Sequence, residues 1–135
     1  MSERTKRLAR LGAAQEGMAK LIETRLAVVE RRIAALNASH AELAVLAQSE
    51  SPVQMEFLSS LLRRMVGTEA DIAAAEREAD MLRRSLLAMR HRGRTFGEKA
   101  DRLREMEMRK AEEEEALETA LAMAAKACRK QGVVN

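Results

Sequence analysis

The sequence predicts an all-α protein: a two-helix antiparallel coiled-coil hairpin whose longer second helix overhangs the open end. Three observations predict it. Ala, Leu, Met, Arg and Glu dominate the 135 residues, aromatic residues make up 1%, and Pro52 is the sole proline, which is the composition of long helices. Apolar residues recur at alternating steps of three and four along two stretches, the spacing of a coiled-coil seam. One strong stop-and-restart signal separates the stretches. A sheet would need β-branched residues, aromatics and turn punctuation that are scarce here.

Helix 1 is expected over about 3–48. Its seam runs Leu8, Gly12, Gln15, Ala19, Ile22, Leu26, Val29, Ile33, Leu36, His40, Leu43, Ala47, and only Gly12 and Gly17 oppose helix. A turn at 49–51 follows. Ser51 suits an N-cap, Pro52 the first helical position, and Gln54 completes a capping box. So short a connection makes the helices antiparallel neighbours.

Helix 2 is expected over about 52–131, with Gly132 as its stop. Its seam runs Leu58, Leu61, Met65, Thr68, Ile72, Ala75, Ala79, Leu82, Leu86, Met89, Gly93, Phe96, Ala100, Leu103. Gly93 and Gly97 would each cost a helix roughly 1 kcal/mol. The phase passes 92–97 without a slip, so the helix is expected to continue there, straight or kinked.

With the turn centred between Glu50 and Ser51, the numbers of facing residues should total about 101. Leu26 then meets Ala75, Ile22 meets Ala79, Ala19 meets Leu82 and Gly12 meets Met89. Large faces small along much of the seam, as dense packing requires. On this register helix 1 runs out near Leu8, opposite Gly93, and helix 2 continues about forty residues further. The extension is densely charged from Arg104 to Glu115. Glu98–Arg102 and Glu105–Arg109 are favourable i,i+4 pairs, with Arg109–Glu113 and Lys110–Glu114 weaker. Leu117, Leu121, Ala124 and Cys128 then resume an apolar stripe with no partner in the hairpin, a candidate contact surface.

Catalysis has little to work with. His40 sits in the seam and sets register; His91 lies about 45 Å away along the helices, at 1.5 Å per residue. Cys128, the single cysteine, has no neighbour arranged to activate it and reads as a small buried hydrophobe. The stretch from Gly93 to Lys99 lacks the spacing and the preceding strand of a phosphate loop. Consecutive carboxylates at Glu112–Glu115 point in different directions. No catalytic, cofactor or metal site is expected, and the chain is read as no enzyme.

A net charge of +3 from 24 basic and 21 acidic residues, without stacking aromatics, argues against nucleic acid. Charge recurs too often for a membrane span, no secretory signal is read at the start, and a reducing, cytoplasmic setting is expected. Arg4, Lys6, Arg7 and Arg10 are placed level with Arg90, Arg92 and Arg94, a basic open end suited to an acidic partner.

Glu98-Lys99, Arg102-Leu103, Met106, Arg109 and the Glu112–Glu115 run, with the opening Leu8-Ala-Arg-Leu11 leading into Leu21, Leu26 and Leu36, resemble the FliJ and YscO family of flagellar and type III secretion export proteins. The resemblance covers nearly the whole chain and is one of pattern. It implies a non-enzymatic stalk and activator of a hexameric export ATPase, which also meets export chaperones and a membrane export gate protein. It implies a cytoplasmic place, peripheral to the inner membrane, for a monomer or weak homodimer. Arg7, Arg10, Lys99, Arg102, Arg104, Arg109, Leu117 and Leu121 then become ATPase contacts, and Phe57 and Leu61 gate contacts. The chain lacks the aromatic residues that some relatives carry on the gate surface. A coiled-coil adaptor or homodimeric scaffold unrelated to export is the alternative.

Overall fold

The computed structural model describes residues 2–48 and 55–134. They form two helices, α1 (Glu3–Gln48) and α2 (Met55–Val134), with no strand among the described residues. The expected turn at 49–51 and the capping residues Ser51, Pro52 and Gln54 lie outside them. Ser2 starts α1 by accepting the Thr5 N–H on its Oγ (3.2 Å) and the Lys6 N–H on its carbonyl (3.1 Å), satisfying donors that a first turn leaves unpaired. α2 passes 92–97 unbroken. It also passes Gly132: no described glycine has a positive φ, so the left-handed stop expected there does not form.

The helices fall into two compact units, one of Gln15–His91 and one of Met1–Ala14 with Arg92–Asn135. In the first, the turn-side unit, the core centres on Val29, Ala75 and Ala79, with Leu26, Ile33, Leu36 and Leu82 packed against it. Every described seam position of this unit is buried or half-buried, as the 4-3 alternation predicts.

The register differs from the expected one by a heptad. Beside the seam, Arg25 donates to Glu78 (2.7 Å), Arg83 to Glu30 (3.3 Å), and Arg90 pairs with Glu23. The residue numbers total 103 on one flank and 113 on the other, so the seam between them totals 108. Leu26 is therefore level with Leu82 and Val29 with Ala79. A period of seven cannot distinguish 101 from 108, because both align every seam residue with another. The flanking charges can. The expected register sets Glu30 against Glu76 and Arg32 against Arg64, whereas the observed one sets Glu30 against Arg83.

In the terminal unit, Gly12 lies against α2: a Cβ built on it would come 3.3 Å from the Gly93 carbonyl oxygen, 3.4 Å from the Gly97 nitrogen and 3.6 Å from the Phe96 Cβ. Gly12 meets this segment and not Met89. Glycine at position 12 permits backbone-to-backbone approach, whereas a Cβ at Gly97 would meet nothing within 4 Å.

The seam of this unit also runs further than expected. Thr5 is fully buried, and its hydroxyl donates to the Glu107 carboxylate (2.9 Å), which also accepts the Ser2 N–H (3.1 Å). Helix 1 thus covers α2 as far as Glu107, and the overhang begins at Met108. From there every residue described for burial is exposed.

Candidate functional site

Charge is distributed unevenly between the units. Residues 15–91 carry ten basic and eleven acidic residues, whereas the covered part of the terminal unit, 2–14 with 92–107, carries nine basic and five acidic, and its tail from 108 onward carries five of each. The small net charge of the whole chain conceals this. At the flanking position where the turn-side unit pairs Arg25 with Glu78, the register of the terminal unit brings Arg4 level with Lys99, two like charges. Such a pair adds nothing to the hairpin and raises the local potential.

The basic group is composed differently from the expected one. Arg90 is neutralised by Glu23 within the turn-side unit. The residues that gather instead are Arg4, Arg7 and Arg10 on α1 with Lys99, Arg102 and Arg104 on α2, all exposed. Glu3 bridges to Lys6 (3.7 Å) and Arg10 (3.9 Å), and Asp101 reaches Arg104 (3.9 Å). These are loose contacts between exposed groups and offset little of the positive field. Among the described residues, the four expected i,i+4 pairs of the charged stretch are not closed, since long solvated side chains gain little by being held.

All eight residues expected to touch the ATPase fall in the terminal unit and all are exposed, including Arg109, Leu117 (62%) and Leu121 (61%). The two apolar residues lie on the bare tail with Met123. Cys128 is exposed there too, not buried as its type suggested. The expected gate pair separates. Phe57 is 53% exposed, whereas Leu61 is 3% exposed and belongs to the hairpin's own seam. The 4-3 step already placed Leu61 there, and the seam outweighs the resemblance. Leu46, Leu62 and Val66 are also exposed in the turn-side unit, and Leu58, next to Phe57 in the chain, lines an open groove with Ser59, Leu62, Arg63 and Val66.

Sequence reasoning missed the Glu107 clasp. Hydrogen bonds from the Ser2 side chain and backbone, then from Thr5, hold the Glu107 carboxyl below its ordinary value of 4.5. The signal was available: Thr5 continues the α1 phase one step before Leu8. His40 is half-buried in the seam with its Nε2 at 3.0 Å from Glu69 Oε1, and His91 is exposed on α2. Among the described residues no three His, Cys, Asp or Glu side chains are placed to hold a metal ion, and no helix is long and apolar enough to cross a membrane. The geometry offers surfaces for macromolecules: a basic body, a bare helical tail and an apolar patch near Phe57. No protein-family model, curated protein or solved structure matches the chain.

Proposed function

We propose that this chain is a non-enzymatic coiled-coil component of a bacterial flagellar or type III protein-export apparatus. It acts as stalk and activator of a hexameric export ATPase at the cytoplasmic side of the inner membrane, and links that ATPase to export chaperones and the membrane gate. The supporting observation is the surplus of exposed basic residues on the body of the terminal unit, continued by a tail that folding of the hairpin does not use. A basic rod with few apolar anchors suits a polar, acidic channel: its attraction is long-ranged and screened by salt, and it does not lock the rod in place. Phe57 and the groove beside it supply a separate apolar contact for a gate or chaperone.

The test is charge reversal in the full chain. Arg7, Arg10, Arg102 and Arg109, each replaced by Glu, should leave helical circular dichroism intact and remove stimulation of the cognate export ATPase. A control reverses Arg31, Arg32, Arg77 and Arg84, exposed residues of the turn-side unit, with the same change in net charge. If the terminal-unit variant stimulates as well as the unaltered chain, the stalk reading fails. Equal loss in the control would reduce the effect to bulk charge.

A further inference from the structure

The bare tail has a sequence that answers itself when reversed. The seam phase of α2 continues through it as Glu114, Leu117, Leu121, Ala124, Cys128 and Gln131. Acidic residues occupy its first half, at Glu112–Glu115 and Glu118, and basic residues its second half, at Lys126, Arg129 and Lys130. All of these are exposed.

We propose that the tails of two copies of this chain pair antiparallel, forming a dimer about a two-fold axis near residues 122–123. The alignment is fixed by three features. Leu117 of one copy meets Cys128 of the other and Leu121 meets Ala124, so a large side chain faces a small one, as Val29 faces Ala79 in the turn-side unit. At the flanking positions Ala120 and Ala125 each meet their own counterpart across the axis, and neither obstructs close approach. Glu118 and Glu113 hold flanking positions, and one step further out on the same side of the pair stand Arg129 and Lys130 of the other copy, within reach of long side chains, twice each by symmetry.

Exposed ion pairs of this kind add little affinity, but they decide orientation. A parallel pair in register would set Glu112–Glu115 against the same residues and Lys126, Arg129 and Lys130 against theirs. A slip of one heptad would set Lys110 against Cys128 and Glu114 against Ala124. Antiparallel pairing in the stated register alone places apolar on apolar and opposite charge on opposite charge. The contact is small and belongs to the weak, reversible class of interfaces. It is read from the tail alone and stands independently of the stalk reading.

The test uses the full chain. Sedimentation or light scattering at about 100 μM, two decades above a micromolar Kd, should give twice the 15.0 kDa chain mass. The Glu113→Lys/Glu118→Lys variant and the Arg129→Glu/Lys130→Glu variant should each be monomeric, and an equimolar mixture should recover the dimer. On mild oxidation, Leu117→Cys in the presence of native Cys128 should crosslink two chains at least tenfold faster than the unaltered chain or Leu117→Cys/Cys128→Ala. A monomer at that concentration overturns the proposal. So does rapid linkage through Cys128 alone, which requires parallel tails.

Discussion

The turn-side unit and the terminal unit share one seam phase but put different residues on it. In the first, Val29, Ala75 and Ala79 are buried, and three opposite-charge pairs flank them. In the second, the corresponding positions hold Thr5, Gly12, Gly93 and Glu107, like charges face one another at Arg4 and Lys99, and the phase then runs on into a tail with nothing over it. Periodicity alone therefore marks a surface that seeks a helix, not whether that helix is in the same chain. Cover makes the distinction: as far as Glu107 the seam is closed within the chain whatever charges flank it, and from Met108 it is bare.

Truncating one leucine in each setting gives the largest expected contrast. Leu61→Ala should lower stability to urea unfolding by about 2–3 kcal/mol, toward the low end for a buried leucine because the seam is one layer wide. Leu117→Ala, on the bare tail, should stay within about 0.5 kcal/mol in dilute solution. Equal losses would mean that the tail is covered within its own chain.

The glycines give the next contrast. A Cβ on Gly17 or Gly67 meets nothing within 4 Å, so alanine there should stabilise by up to about 1 kcal/mol through helix propensity. Gly12→Ala should gain clearly less, since its methyl crowds the Gly93 carbonyl, which belongs to a helical backbone and gives little. A Gly12→Ala gain as large as that of Gly17→Ala would show that the helices do not approach closely there.

The smallest effect is local and depends on pH. The Glu107 carboxyl titrates below 4.5 in the folded chain, so the stabilisation that its ionised form gives the first turn of α1 is complete above that value. It is lost as pH falls through the lowered folded value. Amide exchange protection around Thr5 should follow this course, and Glu107→Gln should weaken it at neutral pH and remove that dependence. Protection at Thr5 that is unchanged by the substitution would dismiss the clasp.

Much of the hairpin was legible because one face of a two-helix seam leaves a period in the sequence, and each described residue of that period from Leu8 to Leu103 is buried or half-buried. Register was less legible, because a heptad slip preserves the period. The flanking charges separate the two alignments only on balance: the first sets Arg25 against Asp71 and Glu23 against Arg83 favourably, but Glu30 against Glu76 and Arg32 against Arg64 unfavourably. Gly12 reads as a penalty to a single helix, since close approach is a property of two. The basic body was blurred for the same reason. Arg90 looked like a member until its neighbour Glu23 was known, and that neighbour follows only from the correct register.

The Glu107 clasp has a kinetic consequence. His40 and Glu69, joined across the seam, are separated by 29 residues along the chain, but Thr5 and Glu107 by 102. A hairpin with one turn closes most cheaply from that turn outward, because loop closure grows more costly with every residue enclosed. The clasp is then the last stitch to form and the first to open. Its two ends need only separate from each other, while the nearer contacts hold the chain in place. The order of opening is written into chain length, and it makes the N-terminal turns of α1 the part of the paired hairpin that opens most often.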